Sequence, residues 1–252
     1  MKDNTKRKNR TVIVVGASGG IGKKVAELLS KKYFVIGTYS RHPKELGGAL
    51  PKSRFKGVHL DLQDASTIKN LCKKIKGEVY AIINCSGIVY FETGNLEKDL
   101  DIWHKTIAIN LSGNYYLAKI FRDKLEENGR FIMISSTDSF YGGSITAAYA
   151  ASKSGVNSLT KSLSLVLADK KIRVNSIAPG WVLTPMTQSN GDQFLAEVAA
   201  INPLKRNAEP QDVANLVGFL MSPQSDYING QVIPLEGGYT NQDPTLLIEE
   251  KL

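Results

Sequence analysis

Residues 11–24 read TVIVVGASGGIGKK, and the change of character partway through that stretch decides the fold. The first five residues are all β-branched, and such a run ending in glycine predicts a short strand buried on both faces. Residues 21–33 then switch to helical period, with Ile21, Val25, Leu28 and Leu29 on one stripe and lysines opposite. Between strand and helix stand Gly16, Gly20 and Gly22. Each suits a physical need: a tight turn at positive φ, a backbone that lets a ligand approach, and a helix packed closely on a sheet. The helix start offers unpaired N–H groups and the positive end of its dipole, which suit a pyrophosphate. Glycines alone also fit a plain βα turn; the strand before and the helix after favour nucleotide binding.

Outward from that turn the same alternation repeats. Strands are predicted over 34–40, 55–62, 79–87, 129–136, 172–180 and 230–238, and helices over 66–76, 100–125, 147–169 and 209–222. Repeated βα units predict an α/β fold: one doubly wound parallel sheet flanked by helices on both faces. No linker, repeat or second composition regime divides the chain, so a single domain over 11–240 is expected, between a basic tail at 1–10 and a C-terminal tail at 241–252.

Over 252 residues the chain carries a formal charge of +8, half of it from Lys2, Lys6, Arg7, Lys8 and Arg10 against Asp3. A basic end before the first strand reads as a solvated tail, and no nucleic-acid-reading motif follows it. No nucleic-acid partner is expected. No run reaches the about 18 apolar residues of a membrane span, and the charged N-terminus lacks the apolar stretch of a secretory signal. A cytoplasmic protein with no membrane partner is expected. Cys72 and Cys85 have no metal-ligand spacing and read as reduced thiols, so no metal is expected.

The segment 144–159, SITAAYAASKSGVNSL, sets Tyr149 and Lys153 four places apart on one helix face. A cation near a phenol favours the phenolate, so Lys153 is expected to lower the pKa of Tyr149 toward working pH and make it a general acid or base. An aromatic packed in the core with a lysine passing over it is the bland alternative. Ser136, thirteen places before Tyr149, closes a predicted strand, and ligands of open α/β sheets sit at that carboxyl edge.

With the glycine spacing, the Ser136, Tyr149 and Lys153 series and Asn110 in IAINLSG, the sequence resembles the short-chain dehydrogenases/reductases, from about residue 11 to 239. That resemblance implies a Rossmann-type fold and a nicotinamide cofactor. It implies that Asn110, Ser136, Tyr149 and Lys153 are catalytic. Ser136 would hold the substrate oxygen and Tyr149 would protonate it. Lys153 would bind the nicotinamide ribose, and Asn110 would link Lys153 to solvent. The cofactor residues implied are Gly16, Ser18, Gly20, Ile21, Gly22, Ser40, Arg41, Asp61, Leu62, Asn84, Gly87, Tyr149, Lys153, Pro179, Gly180, Val182 and Thr184. Val15 stands where the family carries threonine, and Cys85 and Ser86 replace the usual Asn and Ala after strand four. Had any of Ser136, Tyr149 or Lys153 been lost, a non-catalytic nucleotide sensor would be the better reading; all three are present.

At the end of strand two an NAD enzyme of the family carries Asp, and here Tyr39 stands there, followed by Ser40 and Arg41. No carboxylate repels a 2′-phosphate and a cation is at hand, so NADP is expected over NAD; Arg41 as an ordinary turn residue is the alternative. Asp61 matches the family's adenine-binding Asp, while Asp64 suits a helix start better.

For the substrate, the pocket is expected to use Ser136, Phe140, Tyr141, Tyr149, Trp181 and Met186, with Ile88, Val89, Tyr90 and Phe91 from the loop after strand four. The same apolar residues also read as lid packing. The overall text is nearest the 3-oxoacyl-(acyl-carrier-protein) reductases, which implies an acyl-thioester substrate. Their basic carrier-docking residue is replaced by Glu126 and Glu127, leaving Lys170 and Lys171 as docking candidates. A free ketone, sugar or secondary-metabolite intermediate is the alternative substrate. In relatives the C-terminal region builds a subunit interface, so a homotetramer or homodimer is expected.

Overall fold

The computed structural model describes residues 10–41 and 50–242; the expected tails, apart from Arg10, Asn241 and Gln242, lie outside these residues. Seven strands form one parallel sheet: β1 (Thr11–Val15), β2 (Phe34–Tyr39), β3 (Phe55–His59), β4 (Val79–Asn84), β5 (Leu125–Ile134), β6 (Arg173–Pro179) and β7 (Val232–Leu235). Their spatial order is 3-2-1-4-5-6-7, every neighbouring pair parallel. The order reverses between β1 and β4, and that is where a crevice opens at the carboxyl edge of such sheets.

The period of two along β1 separates two cores. Ile13 and Val15 face one side, with Phe131, Met133, Leu117, Phe121, Val156 and Leu163. Val12 and Val14 face the other, with Ile83, Ile132, Val25, Leu29, Val213 and Val217. The first core lies under helices α2 (Ala65–Lys74), α4 (Gly113–Phe121) and α5 (Ala147–Val166); the second lies under α1 (Gly20–Ser30) and α8 (Pro210–Leu220).

Three elements differ from expectation. The long helix predicted over 100–125 begins at Leu96, where the Asn95 side chain caps Lys98 N–H at 3.1 Å, and it is interrupted. Helix α3 (Leu96–Ile107) passes into a π segment over Ala108–Ser112 before α4, and the widening lets the Asn110 side chain reach the loop after β4. Strand β5 starts four residues early at Leu125; the pairing with β4 jumps from Leu125 to Arg130 across a bulge in which Asn128 takes φ 62°. The segment after β6, expected as a loop, holds α6 (Pro185–Gln188) and α7 (Asp192–Ile201). Among the described residues no helix is long and apolar enough to cross a membrane.

Candidate active site

The glycine turn between β1 and α1 behaves as its sequence requires. Gly16 takes φ 75°, and a Cβ on Gly22 would fall 2.1 Å from the Gly16 carbonyl oxygen, so α1 can pack this close only with glycine there. Gly19 precedes α1 without a side-chain cap, which leaves the first-turn amides of Gly20, Ile21 and Gly22 for an external acceptor. The turn lies at the strand-order reversal, so the residues present fit the diphosphate of a dinucleotide. Ser18 lies half-buried in the same turn.

Around that turn the other implied cofactor residues sort into lining and supporting positions. Ser40 and Arg41 are exposed just past β2, with residues 42–49 outside the described chain. The Asp61 carboxylate accepts from Gln63 N–H at 2.9 Å, while Asp64, as expected, caps α2 by accepting from Ser66 N–H. The Leu62 side chain is in the core and so cannot line the crevice. Asn84 is buried at the end of β4, its amide group donating to Asn114 Oδ1 at 2.8 Å and its oxygen accepting from Ser86 N–H at 3.0 Å. Both ends being taken, Asn84 shapes the turn. Pro179 ends β6, Gly180 N–H donates to the Leu235 carbonyl, and Val182 bridges to Ala208. The Thr184 methyl abuts Gly20, and its hydroxyl caps α6 with Thr187.

At the carboxyl edge of β5 the chain brings the expected catalytic side chains together. Ser136, 8% exposed, starts a 3-10 turn over Thr137–Ser139. The Tyr149 phenol hydrogen-bonds with the Ser136 hydroxyl. The Lys153 ammonium, 3% exposed, lies 5.5 Å from the Tyr149 ring centroid. Asn110 is fully buried: its Oδ1 accepts from Ile88 N–H at 2.9 Å and its Nδ2 donates to the Ile88 carbonyl at 2.8 Å and to Ser152 Oγ at 3.1 Å. A Cβ on Gly87 would lie 3.4 Å from Lys153 Nζ and 3.6 Å from Asn110 Oδ1, so these two side chains flank one small space.

The electrostatics correct one expectation. Lys153 does not lower the pKa of Tyr149; burial pushes the phenol up to about 12, the Ser136 hydrogen bond opposes the rise and the Asp138 charge adds to it. The reason is geometric. Lys153 Nζ donates to the Ile134 carbonyl at 2.8 Å and sits beside the aromatic ring. Burial in turn brings Lys153 down to about 8, against the charges of Asp138 and Cys85. Sequence reasoning passed over Asp138. The available signal was an acid two places after the serine, on the edge where ligands sit.

The expected substrate wall is only partly assembled. Phe140 and Tyr141 line a depression of about 410 Å³ with Ala147, Ala151 and Ser154, on a different face of α5 from Tyr149. Trp181 packs edge-on against Phe194 of α7, ring centroids 5.0 Å apart, and Met186 is exposed on α6. Ile88, Val89 and Tyr90 are half-buried beyond β4, and Phe91 is exposed. The docking candidates lie elsewhere. Lys170 donates to the carbonyls of Arg122, Asp123 and Leu125, and Lys171 pairs with Glu127 at 2.8 Å, all at the amino edge of β5 and β6 and away from Ser136.

Comparison with known proteins gives a consistent picture. The profile of a family described as Enoyl-(Acyl carrier protein) reductase matches residues 16–240. The 3-oxoacyl-[acyl-carrier-protein] reductase FabG of Buchnera aphidicola is 36% identical over 245 residues, covering 92% of this chain and 98% of that protein. The Brucella melitensis protein described as Short-chain dehydrogenase/reductase SDR:Glucose/ribitol dehydrogenase superposes with a TM-score of 0.85 at 30% identity, covering 91% of this chain and 96% of that one. The structure of ElxO with NADP bound superposes with a TM-score of 0.81 at 27% identity, covering 92% and 99%. With the glycine turn, the sheet order and this match over nearly the whole chain, the protein belongs to the short-chain dehydrogenase/reductase family of NAD(P)-dependent oxidoreductases.

Proposed function

We propose that this protein is an NADP-dependent carbonyl reductase that reversibly interconverts a ketone and a secondary alcohol. One observation carries the reading: the Tyr149 phenol and the Ser136 hydroxyl are hydrogen-bonded at the carboxyl edge of β5, with the Lys153 ammonium 5.5 Å from the same ring. Bound NADPH supplies the hydride. Tyr149, protonated at neutral pH because burial raises its pKa, is the proton donor to the oxygen that gains charge. Lys153, with a pKa near 8, resupplies that proton and holds the nicotinamide ribose. Asn110 fixes the backbone of Ile88 beside Lys153. Arg41, exposed at the end of β2 with Tyr39 in place of an acid, supports NADP over NAD.

The substrate read from the curated relatives is a 3-oxoacyl thioester. A free ketone or sugar is the second reading, favoured by Asp138 and Glu236 near Tyr141 and by Lys170 and Lys171 being engaged at the far edge. A homotetramer or homodimer is the assembly in keeping with the family.

The test is oxidation of NADPH and of NADH against a panel of ketones including an acetoacetyl thioester, for the wild type and Tyr149→Phe. The reading expects NADPH turnover that Tyr149→Phe reduces at least about 100-fold with NADPH binding intact. Equal turnover by the variant overturns it.

A further inference from the structure

We propose that Asp138 is a positioning residue of this site: its carboxylate takes the proton of the Ser136 hydroxyl, so that Ser136 offers a lone pair and the site holds the alcohol form of its substrate in preference to the ketone. The inference rests on the reading of Ser136 and Tyr149 as the oxygen-binding pair.

The turn that carries Asp138 is fixed from both sides. Ser139 Oγ donates to the Ser136 carbonyl at 2.5 Å, and Asn157 Nδ2 donates to Ser139 Oγ at 2.7 Å. Ser135 Oγ donates to Asn157 Oδ1 at 2.6 Å, and Ser154 Oγ donates to the Ser139 carbonyl at 3.0 Å. So pinned to α5, the turn directs the Asp138 amide to Ser136 Oγ at 3.2 Å and brings the Asp138 carboxylate to the same hydroxyl.

The Ser136 hydroxyl has one proton and two lone pairs. One lone pair receives the Asp138 N–H. The proton has two claimants, the Asp138 carboxylate and the Tyr149 phenol oxygen, and a bond to an ionised acceptor is the stronger by about twofold. One lone pair then remains for the substrate. A ketone oxygen only accepts, so it finds Tyr149 as its donor; an alcohol can donate to Ser136 as well. The titratable groups acting on this corner are Tyr149 and Lys153 of α5, Tyr141 after the turn, and Glu236 and Tyr239 beyond β7, so Lys153 is the cation of the set. No bond to carbon changes in this step; only the direction of one hydrogen bond is set.

The overall equilibrium fixes the ratio of the two kcat/KM values for a given cofactor pair, so the effect must show as a split between KM and kcat. The first arm needs no substrate. In the full chain labelled at aspartate carboxyl carbons, Asp138→Asn identifies the resonance of residue 138, and Ser136→Ala should raise its titration midpoint by about half a pH unit or more. An unmoved midpoint overturns the proposal. The second arm uses acetoacetyl and 3-hydroxybutyryl thioesters, or the panel's fastest ketone and its alcohol. Asp138→Asn should raise the KM for the alcohol about tenfold while the KM for the ketone holds or falls, and Asp138→Glu should restore part of the difference. Equal changes in both KM values overturn it. A wild type no faster than Tyr149→Phe on every ketone defeats the reductase reading instead, and the titration still decides the Asp138 contact.

Discussion

The two edges of the sheet use polar side chains in opposite ways. At the amino edge, charges are matched to one another. Arg130, 3% exposed, donates to the carbonyls of Leu220, Asn128 and Gly129 and pairs with Asp226, which also takes Arg173 at 2.6 Å. Arg10 pairs with Glu126 at 3.0 Å, and Lys171 with Glu127. At the carboxyl edge, the Tyr149 phenol and the Asp138 carboxyl have raised pKa values and the Lys153 ammonium a lowered one, each chiefly from burial. One edge spends its polar groups on holding strands together, and the other keeps them in a state that bound substrate can change.

That contrast can be broken at four places, taken from the largest effect down. Gly22→Ala puts a Cβ 2.1 Å from the Gly16 carbonyl oxygen, a backbone clash expected to cost about 1–3 kcal/mol and to abolish measurable NADPH binding. Calorimetric titration with NADPH checks it, and unchanged binding would remove the glycine turn from the site. Arg130→Met strands the Asp226 carboxylate and three carbonyls, and urea unfolding should show a loss of about 3–5 kcal/mol. Turnover per folded molecule should hold, because nothing at the carboxyl edge touches Arg130.

Lys153→Met tests the other edge through pH. Lys153 titrates near 8 in the folded chain, below its ordinary 10.5, so the unfolded chain binds more protons between those values and the folded state gains stability as pH rises through them. The wild type should therefore gain on Lys153→Met from about pH 8 to 10.5 in denaturant melts, and a flat difference would place the ammonium in water. Smallest is Glu127→Gln, which removes an exposed partner of Lys171 and should leave the urea midpoint where it was.

Most of the fold was legible because burial on both faces leaves an unbroken apolar text, as in VIVV and YAIIN. The start of β5 was not, since Glu126, Glu127 and the left-handed Asn128 read as a loop and only the bulge against β4 makes them strand. The π segment left no mark either, because Ala108 to Ser112 are ordinary helical text and the widening comes from the contact of Asn110 with Ile88. Tyr149, Lys153 and Ser136 were readable from spacing and strand end. Their protonation was not: four-place spacing brings Lys153 beside the phenol ring, whereas the Ile134 carbonyl decides where its ammonium points.

The π segment has a consequence for how this chain tolerates changes of length. The Asn114 amide donates to the Asn110 carbonyl at 2.7 Å, and Asn84 reaches Asn114 in turn. A helix advances about 100° per residue, so removing one residue between Ala108 and Ser112 would restore ordinary pitch and swing everything after it by more than a quarter turn. Asn114 would leave Asn84, and Leu117 and Phe121 would rotate out of the core together. The extra residue thus works as a phase lock, tying the angular setting of a core-packing helix to the loop that borders the active site.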